Sequence, residues 1–384
     1  MCNTYRFLIM TTDPVHIGTG GMRLGRVDNT IVREPGTKLP KIPGTALHGA
    51  IRAYAARRYG KPQCAGQGST EGRKHCGRPT CPICYTFGSL QGEAGSFSGV
   101  ISISDARILF FPVYSMVGPV WVSTRALLQE AGFTVEDKHG KNSDSQNEKA
   151  YLTRDRTEPI NLGWLMVEVG GKVDINIPKD LKNESKKDVW EAIKDKIVLV
   201  SENLFSQIVN SNLEVRTSVA INPETGAAED GALYTYEAIP RATLLWFDLI
   251  VDDFRNNFPT KNLWEELYEK IKNVSIPEEM PESEEEYEKI MRALGYIKKR
   301  PTKREKETNE EFDTNEEFDE RKKQYWKKVK ESYESLKKVI KNLNWSSPKD
   351  IINLGLEWAE HLGIGGMGTR GFGRIKQVVD PWEV

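Results

Sequence analysis

The spacing Cys64-x11-Cys76-x4-Cys81-x2-Cys84 places four thiols within twenty-one residues. Tetrahedral zinc takes four soft or borderline ligands, and a Cys-x-x-Cys pair supplies two of them from one tight turn, stiffened here by Pro82. Four thiolates would fill the coordination shell and leave no place for water, so the ion expected is structural Zn2+. His75 is an alternative ligand, and four unrelated reduced cysteines are the plain alternative to any metal. With Cys2 the total is five, an odd number that argues against a disulfide framework and for a reducing compartment.

Three further groups carry chemical potential. Near residue 44, Pro43-Gly44-Thr45 opens a helix pattern, and a helix start offers free N–H groups and partial positive charge to an anion. Thr45 can cap that helix or donate to a phosphate, and His48 and Arg52, four residues apart, share a face with Arg57 beyond. An ordinary buried helix start fits the same residues. Near residue 368, six glycines fall within the eleven residues of Gly363-Ile364-Gly365-Gly366-Met367-Gly368-Thr369-Arg370-Gly371-Phe372-Gly373. Backbone N–H groups at Gly365, Gly366 and Gly371 could seat phosphate oxygens, with Arg370 and Arg374 adding charge; a mobile loop is the alternative. The run lacks the Gly-Lys-Ser/Thr ending of a P-loop and precedes a strand, so an extended phosphate chain suits it better than a nucleotide. Lastly, Asp28 stands between Val27 and Asn29 on a glycine-flanked loop, with His16 upstream. Such an Asp could hold a divalent ion or orient a ribose hydroxyl, although a lone loop Asp is usually a turn former. His16 on its own reads as a satisfied structural histidine.

The elements that must position these groups alternate irregularly. Strands are expected at 5–12, 99–111, 113–122, 164–169 and 198–200, with a helix over 46–59 capped by Thr45. Residues 213–236 read as a hairpin around Asn222-Pro223-Glu224-Thr225-Gly226, followed by an apolar central strand near 244–251. Strands and helices without regular βαβ alternation favour an α+β fold. From 263 to 343 the chain is charge-dense and helix-forming, with a near-repeat of Thr-Asn-Glu-Glu-Phe-Asp at 308–319, and reads as a charged helical insertion.

The bulk numbers narrow the class. With 384 residues and formal charge −1, no global field draws the chain to nucleic acid or membrane. The distribution matters more: residues 45–80 hold seven Lys or Arg and one acid, while most acid sits at 278–320. No run of eighteen apolar residues and no basic-then-apolar leader is found, so a cytoplasmic protein without a membrane partner is expected.

Gly25-Arg26-Val27-Asp28-Asn29, Ile42-Pro43-Gly44-Thr45-Ala46-Leu47-His48-Gly49-Ala50-Ile51-Arg52 and the C-terminal glycine run together resemble the RAMP superfamily of CRISPR–Cas proteins. Phe87-Gly88-Ser89, Ser104-Asp105-Ala106-Arg107-Ile108-Leu109-Phe110-Phe111-Pro112-Val113 and Gly231-Ala232-Leu233-Tyr234-Thr235-Tyr236-Glu237-Ala238-Ile239-Pro240 resemble its Cmr-type (type III-B) backbone subunits. The resemblance implies an RRM-like (ferredoxin-like) palm over 1–253 and 349–384. A β-hairpin thumb would lie at about 205–243; the zinc knuckle at about 60–88 and the charged insertion at 254–348 are additions that are not universal in the family. It implies copies stacked along a guide CRISPR RNA in a helical filament with other type III effector subunits, and cleavage of target RNA using Mg2+ or Mn2+. Asp28 would be the catalytic residue, and His16, Thr45, His48, Arg52, Arg57, Gly365, Gly366, Arg370, Gly371 and Arg374 would bind RNA. The family's usual Ser-Leu-Lys reads Ala46-Leu47-His48 here, which removes one lysine–phosphate contact. The same residues also fit a non-catalytic scaffold of a Csm-type or divergent type III complex. A third fit is a stand-alone processor of CRISPR precursor RNA with His16 or His48 as base.

Overall fold

A computed structural model of the chain describes residues 2–20, 27–66, 75–78, 80–92, 95–137, 148–178, 188–262 and 344–384. The greater part of the charged insertion expected at 254–348, together with Arg26, Arg73 and Lys74, lies outside these residues. The chain divides into two compact units: Arg52–Ile101 with Val251–Gly355, and Cys2–Ile51 with Ser102–Ile250 and Leu356–Val384.

The second unit is built on a mixed sheet. Its strands run in the order Ile375–Gln377, Cys2–Thr11, Leu244–Asp252, Ala106–Val113, Val120–Ser123, Ile197–Leu199, Ala150–Leu152, Val169–Asn176 and Thr134–Asp137. Antiparallel and parallel neighbours alternate irregularly: Ala106–Val113 is antiparallel to Val120–Ser123, which is parallel to Ile197–Leu199. The strand Cys2–Thr11 buries Phe7, Leu8 and Ile9, and Phe7 stacks on Phe247 at 5.0 Å between centroids. One core cluster gathers Leu8, Phe110, Phe133, Leu199, Leu244 and Trp246. Burial of such side chains, about 1.5–3 kcal/mol each, holds the sheet to its helices. The guanidiniums of Arg6 and Arg107 lie over Trp246, each 4.2 Å from its ring centroid, so the apolar face is rimmed by charge.

The apolar stretch 99–111 is two strands, Ile101–Ile103 and Ala106–Val113, interrupted at Ser104-Asp105. The break has a purpose. Asp105 turns its carboxylate to the first helix: Oδ1 accepts from Gly44 N at 2.7 Å and Oδ2 takes Lys41 Nζ at 2.5 Å. Helix Gly44–Arg58 therefore starts one residue before Thr45, which sits exposed in its first turn and is not the cap. A protein carboxylate already occupies part of the anion-attracting helix start.

The hairpin forms as the turn residues require. Strands Glu214–Ile221 and Ala228–Ala238 pair antiparallel with Glu214 opposite Ala238. Between them Asn222 Oδ1 accepts from the backbone N–H of Glu224 and Thr225, an Asx turn, and Gly226 takes φ +66°.

In the first unit a short helix, Pro82–Phe87, runs into the hairpin Gly88–Gly92 with Gly95–Ser98. Tyr59 meets Trp345 edge-on at 5.0 Å, Tyr85 meets Phe258 at 5.5 Å, and the Tyr85 hydroxyl bonds Asp253.

Candidate nucleic-acid site and cysteine cluster

In the first unit the four predicted cysteines converge. Their sulfurs lie within 4.8 Å of one another and all four residues are buried. Cys64 and Cys76 are 3.4 Å apart, Cys76 and Cys84 3.6 Å, and Cys64 and Cys81 3.9 Å. A tetrahedron with metal–sulfur bonds of about 2.3 Å has edges of about 3.8 Å, so the set fits a single thiophilic ion. His75 is not part of it. Its Nε2 bonds the Gly66 carbonyl at 2.8 Å, and its Nδ1 faces the Arg52 guanidinium at 3.1 Å.

Arg52, expected on RNA, is turned inward. It donates to the carbonyls of Cys64 and Gly88, each at 2.8 Å, and of Phe87 at 3.4 Å. Lys61 is buried as well; burial pushes its ammonium down, and Cys81, Cys76 and Cys64 push it up further still. Four thiolates and one divalent cation would carry two negative charges, which Arg52 and Lys61 match in number. Sequence spacing placed Arg52 on a basic helix face; its carbonyl partners come from segments no periodicity ties to the helix. Arg57 stays exposed, its guanidinium 6.0 Å from the Tyr54 ring centroid.

In the second unit Asp28 is fastened to the hairpin. Its Oδ2 accepts the Thr235 hydroxyl at 2.7 Å and the Thr235 backbone N–H at 2.9 Å, while its own N–H donates to Thr235 Oγ1 at 2.9 Å. The hydroxyl bond first, then the backbone bond, holds Asp28 below the ordinary carboxylate range, so it is ionised at neutral pH. Asn29 N donates to Thr235 O and Glu237 N to Asn29 O, each at 3.0 Å, which extends the stitching. Glu237 is buried between Arg33 at 2.5 Å and Ile31 N at 3.2 Å. Thr235, Glu237 and Arg33 were missed as site residues; the only local signal is the alternation Tyr234-Thr235-Tyr236-Glu237.

His16 is buried. Its Nδ1–H donates to the Glu237 carbonyl at 2.7 Å, its ring meets Tyr236 edge-on at 5.8 Å, and its own carbonyl accepts from Gly366 N at 3.0 Å. That buried ring supports the site from within. His48 is half-buried on its helix.

The glycine run serves two purposes. Gly365 has φ +80°, and a Cβ there would lie 2.5 Å from the His16 carbonyl oxygen; Gly373, at φ +91°, would drive one into the Ile364 carbonyl. These two glycines are demanded by backbone packing. Gly366, Gly368, Thr369, Arg370 and Gly371 instead form an exposed crest around a 3-10 turn. Arg370 reaches from it toward a groove lined by Ser218, Val219, Ala220, Tyr234 and Tyr236. Strand alternation puts both tyrosines on the face opposite Thr235. Arg374 pairs with Asp13, its second nitrogen 3.0 Å from Oδ1, and that bond foremost lowers the Asp13 carboxyl.

Among the described residues no helix is long and apolar enough to cross a membrane. The chain is 27% identical over 253 residues to "CRISPR system Cmr endoribonuclease Cmr4" of Pyrococcus furiosus, covering 63% of this chain and 80% of that protein. It is 40% identical over 52 residues to "CRISPR system Cms endoribonuclease Csm3" of Mycobacterium tuberculosis, spanning 14% of this chain and 22% of that one. Among solved structures, a chain of a type III-B Cmr-beta complex bound to cognate target RNA superposes at TM-score 0.47 with 14% identity, over 65% of this chain and 84% of that one. A family model described as the RAMP superfamily matches residues 8–276, most of the chain, and the chain belongs to that superfamily.

Proposed function

We propose that this chain is the repeating backbone subunit of a type III-B CRISPR effector complex, binding guide CRISPR RNA and cutting the complementary target RNA. The large sheet acts as the RRM-like palm and the 214–238 hairpin as the thumb. What carries the reading is the Asp28 carboxylate, ionised and docked on that hairpin, in a chain similar to an endoribonuclease over most of its length. RNA itself supplies the nucleophile: the ribose 2′-hydroxyl, losing its proton to solvent, attacks the adjacent phosphate held in line and displaces the 5′-oxygen, which takes up a proton. A 2′,3′-cyclic phosphate and a 5′-hydroxyl are left; this explains RNA over DNA. Mg2+ or Mn2+ beside Asp28 would stabilise charge developing on that phosphate. Arg57, Arg370 and the exposed crest at 368–371 suit the sugar–phosphate strand, whereas the Gly366 N–H is spent on the His16 carbonyl; Tyr234 with Tyr236 offers aromatic surface to bases. Arg52 has inward partners and the exposed Arg374 is paired with Asp13, so both play supporting roles. Target choice falls to base pairing, the protein reading backbone and shape.

The cysteine cluster holds structural Zn2+. The assembly, with further copies of the chain and sister subunits, is cytoplasmic. Asp28→Ala in a complex reconstituted on guide RNA tests the reading. Target RNA should still bind and be cut about 10²–10³-fold more slowly. Undiminished cutting would instead make the chain a scaffold whose Asp28 is a turn residue.

A further inference from the structure

We propose that Thr235 is the positioning residue of the cleavage site, fixing which oxygen of Asp28 is offered to a cation. The inference rests on Asp28 being the cleavage carboxylate. Both donors of Thr235, hydroxyl and backbone N–H, converge on Oδ2, at 2.7 and 2.9 Å. The same hydroxyl accepts the Asp28 N–H at 2.9 Å, closing a ring that locks the carboxylate's rotation. Among the described residues no hydrogen bond from another residue reaches Oδ1. A carboxylate with one oxygen doubly bonded and the other open presents a single ligand atom in a fixed direction.

Two observations separate this from a turn. An Asp that shapes a turn bonds a backbone N–H about two residues on. Asp28 bonds a residue 207 positions away and makes its loop ride on the hairpin strand. Nor is the bond needed to hold the loop there. Glu237 already anchors the same strand through Ile31 N and Arg33, and Asn29 bonds the strand backbone on both sides. What the hydroxyl adds is orientation. Partners that orient a ligand in this way typically contribute about 10–100-fold to metal affinity or activity.

Thr235→Val keeps the β-branched shape and the backbone N–H and deletes only the hydroxyl. The experiment uses the complex assembled on guide RNA, with single-turnover cleavage of complementary RNA titrated with Mn2+. The Val variant should bind target normally, yet cut about 10–100-fold more slowly at limiting Mn2+ or need about that much more Mn2+. Thr235→Ser, which restores the hydroxyl, should return to near the parent. Thr235→Ala, run beside them, covers the case in which valine disturbs assembly. Parental rate and Mn2+ requirement in the Val or Ala variant would overturn the proposal, as would a Ser variant as impaired as Val. Undiminished cutting by Asp28→Ala would instead overturn the underlying functional reading, so the two failures are distinguishable.

Discussion

The cysteine cluster and the Asp28 site both gather polar groups that the sequence scatters, and they finish the job differently. Around the cysteines the charged and ligating groups are closed: four sulfurs face one another, His75 is engaged at both nitrogens, and Arg52 spreads its donors over three carbonyls. Around Asp28 one oxygen is doubly bonded and, among the described residues, no other residue bonds the second, on a side chain only half-buried. Closure resists exchange with solvent and suits a permanent fixture. An ionised, half-satisfied carboxylate is poised to recruit something. The comparison teaches that completeness of partners, more than residue type, separates a fastening from a working site.

That contrast can be broken from either side. The largest effect belongs to the closed region. The proposed site would hold one zinc per chain. Replacing Cys81 and Cys84 together by Ser should abolish it, read by elemental analysis. It should also unfold the Arg52–Ile101 unit, since structural zinc contributes about 10 kcal/mol or more to such folds. Metal-free parent protein with an unaltered melting temperature would contradict the closed picture. Next comes the open region: Asp28→Ala should lower target cleavage by about 10²–10³-fold, a typical loss when one transition-state stabiliser is removed, while leaving the melting curve in place. A large loss of stability in that variant would erase the distinction. Third, Arg52→Gln strands buried carbonyls and should cost about 1–3 kcal/mol per acceptor left bare, seen in urea unfolding, with cleavage per assembled complex unchanged.

The smallest effect sharpens the comparison at the glycine run. Arg374 lowers the folded-state pKa of Asp13, so the pair's contribution is fully present above the unfolded carboxylate value of about 3.9. It is lost as pH falls through the lower folded value. Asp13→Asn should flatten that acid limb of the stability profile, followed by unfolding at a series of acid pH values. An unchanged limb would show that Arg374 is free for an external phosphate.

Where chemistry depends on neighbours in sequence, it was readable. The zinc spacing lies within one short segment, and the Asn222-to-Gly226 turn dictates its hairpin through local bonds. Asp28 was readable as a candidate through family resemblance, not its partner, because Thr235 arrives from across the chain. Arg52 misled for the same reason: helical spacing says which face a residue is on, and only tertiary packing says whether that face meets water. Thr45 looked like a cap because capping preferences are local, while the actual anion at that helix start, Asp105, comes from an interrupted strand. The glycines gave a loop correctly, but which of them packing requires depends on His16 and Ile364.

The placement of strand Cys2–Thr11 has a bearing on biosynthesis. Its neighbours in the sheet are Leu244–Asp252, Ile375–Gln377 and Trp382–Glu383, with Ile9 opposite Gln377 and Arg6 opposite Trp382. Ribosomes add about 5–20 residues per second, so an early strand carrying Phe7, Leu8 and Ile9 waits roughly 20–70 s for its last neighbour. During that interval the nascent polypeptide displays an unpaired greasy edge, an invitation to chaperones or to neighbouring chains on the same polysome.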